Sequence, residues 1–364
     1  MPPKMKSTGT LPFTSEPIQT DALVIGAGPV GLFQVFELGL QGITAHVVDA
    51  LPYLGGQCIE LYADKPIYDI PALPVCTGRE LIARLEQQIR PFKPAFHLDQ
   101  EVCELRRRDG GGFDVETSRG LRFQTQTVFL AAGVGAFTPR VLKVDGFEQF
   151  VGKQVFYREP DGKDVAGKDI LVLGEGDDAL RLALTLARTN GDGKAKSVTL
   201  MHRRDQFKAS AGLIEQMREA CDDGRMRFQV GQIIGCSAVE GQLKSVSIID
   251  DLAHKSELPV SWVVALLGLS PRLGPIAGWG LDLDRKQVKV STADFCTSEP
   301  GLYAVGDINT YDGKKKLIVC GFHEATLAAF AAAAYIRPDE IVHLQYTTAS
   351  PKLHQLLGVS PPGN

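Results

Sequence analysis

Residues 21–31 read D-A-L-V-I-G-A-G-P-V-G. The apolar run Ala22 to Ile25 predicts a buried parallel strand, and it leads straight into Gly26-x-Gly28-x-x-Gly31. From Pro29 through Leu32, Val35, Phe36 and Leu38 the apolar spacing turns helical. Strand, glycine turn and helix in this order predict a dinucleotide cradle. Gly26 permits the tight turn, Gly28 lets backbone approach a pyrophosphate, and Gly31 lets helix and strand pack closely. Pro29 suits a first helical position, and the free N–H groups of that helix end face the phosphates. A second strand, Thr44 to Val48, ends at Asp49, 23 positions after Gly26. That is where a carboxylate meets a ribose 2′-hydroxyl.

Length and charge narrow the classes. A chain of 364 residues predicts two domains, with three as the alternative. Formal net charge is −4, so no global nucleic-acid or membrane footprint is expected. The longest apolar run, Ala325 to Ile336, is too short to span a bilayer. Residues 1–20 mix Pro, Lys, Ser and Thr and read as a flexible N-terminus rather than a signal peptide, which makes cytoplasm the expected location. The seven cysteines, at 58, 76, 103, 221, 236, 296 and 320, include no C-x-x-C pair and read as reduced thiols with no metal site.

Beyond the first unit comes L-P-Y-L-G-G-Q-C (51–58), then E-L-Y-A-D-K-P-I-Y-D-I (60–70), an irregular stretch of the kind that carries function. Gln57 offers an amide to a ring edge and Tyr62 an aromatic face. Strands are expected around His97 to Leu105, Phe113 to Thr117 and Leu121 to Leu130, with a linker at Gly135, Phe137 and Pro139. A second strand–turn–helix follows at Gly174-x-Gly176-x-x-Ala179. Its next strand, Ser197 to Met201, ends in His202-Arg203-Arg204-Asp205. Arginines at that position suit a 2′-phosphate, which predicts NADP(H). Glu175 inside this turn and Asp178 at the helix start compete with a phosphate for the same amides, which predicts either weakened binding or a displaced loop. Later, Tyr303-Ala304-Val305-Gly306-Asp307 again delivers a glycine and an acid at a strand end, so Asp307 is expected near a ribityl hydroxyl, with the helix Gly321 to Arg337 starting close by.

Taken together, GAGPVGLF, LPYLGGQ, LYADKPIYDIP, GVGAFTPR, HRRDQFKA, LGPIAGWGL and YAVGDINTYDGKKKLI resemble the thioredoxin-reductase-like ferredoxin/flavodoxin–NADP reductases, over about Asp21 to Ser350. The resemblance implies an α/β fold of two Rossmann-like dinucleotide-binding domains of three-layer ββα type. It assigns 21–138 plus 295–364 to FAD, with the tail covering the flavin, and 139–294 to NADPH. It implies FAD contacts at Gly26, Gly28, Pro29, Asp49, Gln57, Tyr62, Val102, Phe137, Asp307, Tyr346 and Thr348, and NADPH contacts at Gly174, Gly176, Ala179, Arg203, Arg204 and Lys208. Tyr62 would stack on one flavin face and Tyr346 on the other, reached from a partner subunit, which implies a homodimer. Glu175 and Asp178 replace small residues of the family's G-G-G-D-S-A loop, and Lys208 stands where arginine is usual.

Thioredoxin reductases carry a C-x-x-C just before the second glycine turn; here Gln154 to Lys168 contains no cysteine. Dithiol exchange needs a thiolate and a resolving partner. The expected activity is therefore that of an FAD-dependent NADPH oxidoreductase, with hydride transfer between NADPH and FAD and single-electron transfer to or from a ferredoxin or flavodoxin. No catalytic acid or base is named. The alternatives are a ferredoxin-independent flavin or quinone reductase, or an FAD-binding dimer with an impaired NADPH site. Lys314-Lys315-Lys316 is expected to steer an acidic ferredoxin, while Arg106-Arg107-Arg108 reads as a solvated strand end.

Overall fold

The computed structural model describes residues 16–160, 165–188, 193–340 and 346–359. Two compact units emerge: one runs to Phe137 and resumes at Pro271, and the other is Thr138–Ser270.

In the first unit, parallel strands stand in the order Ala95–His97, Ala45–Val48, Ile18–Ile25, Arg122–Leu130, with Leu302–Ala304 beside the end of the last. Side chains on a strand alternate between faces. Ala22 and Val24 therefore join the core under the helices Pro29–Leu40, Gly78–Ile89 and Ile318–Ile336, through Leu32, Leu85 and Ala329 among others. Leu23 and Ile25 join the opposite core, built with Val102, Phe113 and Val115 from two antiparallel strands, Val102–Arg107 and Phe113–Thr117. Arg122–Leu130 serves both layers: its first half pairs with Phe113–Thr117, its second with Leu302–Ala304. Helices, parallel sheet and antiparallel strands form the three layers expected. Thr77 closes the start of Gly78–Ile89 with a capping box, its hydroxyl accepting from the Glu80 amide at 3.2 Å.

The second unit repeats the plan. Its parallel sheet runs Val155–Phe156, Trp262–Ala265, Asp169–Leu173, Ser197–His202, Arg227–Val230. Ile170, Val172 and Val198 face the helices Asp177–Arg188 and Ala211–Asp222. Leu171 and Leu173 face the antiparallel strands Gln232–Val239, Gln242–Ile249 and Lys255–Pro259 through Val246 and Ile248.

Three expectations need correcting. The first strand begins at Ile18, inside the stretch read as a flexible terminus; residues 1–15 lie outside the described residues. The chain returns to the first unit at Pro271 rather than at Phe295, because Leu273, Ile276, Leu283 and Val288 complete the core beneath the antiparallel strands. The apolar run Ala325 to Ile336 was expected to be too short for a bilayer, but the helix that contains it, expected over Gly321 to Arg337, spans Ile318–Ile336 and by length and composition alone could cross one. Here Ala325, Ala328, Ala329, Ala332 and Ala333 are buried in the first unit's core, and Gln34 Nε2 donates to Ala325 O at 3.1 Å.

Candidate dinucleotide-binding sites

In the first unit the three glycines of the turn separate into two kinds. Gly26 has φ +112°, and a Cβ there would stand 2.4 Å from the Ala131 carbonyl oxygen. A Cβ on Gly31 would stand 1.9 Å from the Gly26 carbonyl oxygen. Gly28 sits at φ −71°, ψ 179°, a conformation open to any residue, and its Cβ would meet nothing within 4 Å. The fold demands Gly26 and Gly31. Only a group lodged against the backbone demands Gly28.

That open side belongs to a cleft of about 1110 Å³, its mouth included, and Gly26, Gly28, Pro29, Asp49, Gln57, Tyr62, Val102 and Asp307 all line it. Asp49 ends its strand with both oxygens engaged: Oδ2 accepts from the Ala27 amide at 2.5 Å and Oδ1 from the Leu51 amide at 2.7 Å. Burial pushes its carboxyl above the usual range, and the two amides oppose that shift. Gln57 opens the short helix Gln57–Tyr62, and its Nε2 donates to Asp307 Oδ2 at 3.3 Å, joining residues from opposite ends of the chain. Cys58 lies buried beneath, its Sγ 3.5 Å from the Tyr62 hydroxyl, and burial pushes its thiol above the ordinary value. A thiol held protonated is a poor nucleophile.

Other expected contacts are not brought to the cleft. Tyr346 is 71% exposed on the tail, and Thr348 belongs to the one-turn helix Thr347–Ala349; neither lines the cleft of its own protomer. Phe137 falls in the strand Ala136–Pro139, and its side chain lies outside the described residues.

Sequence reading missed the cleft's far wall, Gln100, Leu273, Ile276 and Trp279. The Trp279 Nε1 is buried with no hydrogen-bond partner among the described residues. The lysine run departs from its expected role too. Lys314 is buried, its side chain 7% exposed, and its Nζ donates to the Gly306 carbonyl at 2.9 Å and pairs with Glu324, which is fully buried. Glu324 Oε2 accepts from the Gly306 amide at 2.6 Å and from Asn309 Nδ2 at 2.8 Å, and Oε1 accepts from the Tyr311 hydroxyl at 2.9 Å. Both polar groups of Gly306, at φ +79°, are thus clamped one residue before Asp307. Lys315 and Lys316 remain exposed, and Lys316 lines the cleft.

In the second unit, Gly174 has φ +156°, and a Cβ there would meet Leu266 O at 2.5 Å and Ala179 Cβ at 2.6 Å. Ala179 is fully buried behind the turn, so it serves helix–strand packing. A Cβ on Gly176 would meet nothing within 4 Å, as at Gly28. Arg203 and Arg204 are exposed just past the strand Ser197–His202. The acid read as an obstacle has partners: Glu175 Oε1 lies 2.7 Å from Lys208 Nζ, and Oε2 lies 3.4 Å from His202 Nε2. The Lys208 hydrogen bond holds the Glu175 carboxyl below its usual range. Asp178 is exposed, and it is Asp177, the first helical residue, that turns inward to accept from the Ser210 amide at 2.7 Å.

Two parallel sheets, each with a glycine turn opening a helix, define a two-cradle dinucleotide-binding α/β protein. Residues 20–331 match the pyridine nucleotide-disulphide oxidoreductase family, and the chain belongs to it. It is 57% identical over 346 residues to the ferredoxin–NADP reductase of Methylibium petroleiphilum, covering 95% of this chain and 94% of that one. Identity to the ferredoxin–NADP reductase of Polaromonas naphthalenivorans is 56%, with the same coverage. Among solved structures, the thioredoxin reductase of T. acidophilum shares the fold at TM-score 0.56 and 20% identity, over 87% of this chain and 98% of that one. The bacillithiol disulfide reductase of Staphylococcus aureus does so at TM-score 0.58 and 14% identity, over 87% and 99%.

Proposed function

We propose that this chain is a ferredoxin–NADP reductase, with FAD in the cleft of the first unit and NADP(H) at the glycine turn of the second. The observation that carries the reading is a thioredoxin-reductase-like fold without that family's thiol pair: Gln154 to Lys168 holds no cysteine, and Cys58 is buried, which pushes its thiol above the ordinary value. Bound FAD would supply the exchange between two-electron nicotinamide chemistry and one-electron acceptors. The residues do the rest by position. Gly28 and the helix end at Pro29 receive the pyrophosphate, Asp49 the ribose, Asp307 with Gln57 the ribityl side, and Tyr62 one ring face. Arg203 and Arg204 receive the 2′-phosphate as charge-assisted donors. The exposed Tyr346 and Thr348 suit a tail that covers the flavin of a second copy, so a cytoplasmic homodimer is the reading adopted. A ferredoxin or a flavodoxin is the protein partner.

Anaerobic mixing tests the whole reading. NADPH should bleach the flavin absorbance and NADH should do so much more slowly; subsequent cytochrome reduction should require added ferredoxin. Equal bleaching by both nucleotides, or cytochrome reduction without ferredoxin, would overturn it.

Steering falls to the exposed lysines rather than to Lys314. Lys315→Glu is expected to lower kcat/KM for ferredoxin several-fold at low salt, with the gap closing as salt screens the charge. Flavin reduction by NADPH should be unaltered. An unchanged salt dependence of ferredoxin turnover would remove Lys315 from the docking face.

A further inference from the structure

We propose that Glu175 is a positioning residue for 2′-phosphate selection: it ties the glycine turn to the segment 202–210 and so fixes where Arg203 and Arg204 stand. The inference rests on the NADP(H) reading of the second unit.

Four contacts stitch the two segments together. The Glu175 carboxylate meets Lys208 Nζ at 2.7 Å and His202 Nε2 at 3.4 Å. The Lys208 amide donates to the Glu175 carbonyl at 2.7 Å, and the Ser210 amide donates to Asp177 Oδ1 at 2.7 Å. Arg203 and Arg204 lie between these anchors, exposed and with no ion pair among the described residues. His202 fixes the near end further, its Nδ1 lying 2.9 Å from the Arg204 carbonyl oxygen. A loop anchored at both flanks presents its cations with less ordering cost than a free one.

A carboxylate in a phosphate turn repels every dinucleotide, because the pyrophosphate is common to all of them. The 2′-phosphate adds charge that the carboxylate also repels, so repulsion alone weakens NADP+ at least as much as NAD+, and its removal leaves their ratio unchanged or raises it. Positioning acts only on the nucleotide that carries a 2′-phosphate. The ratio of the two affinities separates these roles.

The test is Kd for NADP+ and for NAD+, by calorimetry on the FAD-loaded protein, in the wild type, Glu175→Gln and Glu175→Ala. The glutamine variant keeps the main-chain bond and removes only the charge. In both variants the NADP+/NAD+ preference should fall roughly tenfold, the size of one lost charge-assisted contact, while NAD+ binds as well as before or better. Glu175→Asp, which retains the charge, should recover part of the preference. A preference unchanged or raised in the variants overturns the positioning role, whether both nucleotides tighten or neither moves. Wild-type protein with no preference for NADP+ would overturn the NADP(H) reading itself, an outcome seen before any variant is made.

Discussion

Gly28→Ala is expected to give a folded protein that no longer holds FAD, whereas Gly31→Ala should fail as a fold. The two glycines are three positions apart in one turn, and both are usually explained by one motif. Their surroundings differ. A methyl added at Gly31 would stand 1.9 Å from the Gly26 carbonyl oxygen, a backbone atom with no rotamer to escape into. Overpacking of a buried seam costs about 1–3 kcal/mol where side chains can yield, and more where they cannot. A methyl added at Gly28 would meet no protein atom within 4 Å, and φ −71° suits alanine. Exchanging glycine for alanine at a helix N-cap costs about 1 kcal/mol or less. What the methyl does fill is the space a pyrophosphate would take, so FAD affinity should drop by at least about 100-fold, or some 2.7 kcal/mol. Flavin titration and thermal unfolding of the FAD-free protein separate the two effects. Retention of yellow colour by Gly28→Ala would show that the phosphates lie elsewhere.

What sequence could and could not reveal follows the range of the interactions. The glycine turns were legible because strand, turn, helix and Asp49 are local and periodic. Gln57, Tyr62 and Asp307 stood out by residue type and by their place after a glycine turn or a strand end, Val102 came from resemblance alone, and the fold brings all four to one cleft. Lys314 was misread because three adjacent lysines look like a solvated run; its partner Glu324 sits on the inner face of a helix, in a segment whose alanines gave no hint of a charge. The pairing of Glu175 was not legible because its counter-ion, Lys208, lies 33 positions away. The return at Pro271 was missed for another reason. Its apolar residues Leu273, Ile276 and Trp279 lie on an irregular segment with the short helix Gly274–Gly278, which has neither a helical nor a strand period to detect.

Lys314→Met and Glu324→Gln should each destabilise the first unit strongly, while the double replacement should recover much of the loss. Glu324 is fully buried and Lys314 nearly so, with their charged groups in contact. Removing one member of such a pair strands the other charge in low dielectric and costs about 3–5 kcal/mol, whereas replacing both is often nearly neutral. Exposed pairs such as Arg79–Asp64 contribute about 0–1 kcal/mol and serve as the contrast. Two units need not unfold together, so a probe confined to one is required. The sequence has two tryptophans, Trp262 in the second unit and Trp279 in the first; with Trp262→Phe as background, Trp279 fluorescence reports the first unit alone. The double-mutant cycle should then give a coupling well above about 1 kcal/mol. Flavin binding supplies an independent readout. Glu324 and Lys314 hold the amide and carbonyl of Gly306, so the double variant, though stable, leaves the turn before Asp307 less firmly held and should release FAD faster than wild type. Single variants no less stable than the wild type would mean that the pair is solvated in the protein, and the clamp on Asp307 would fall with it.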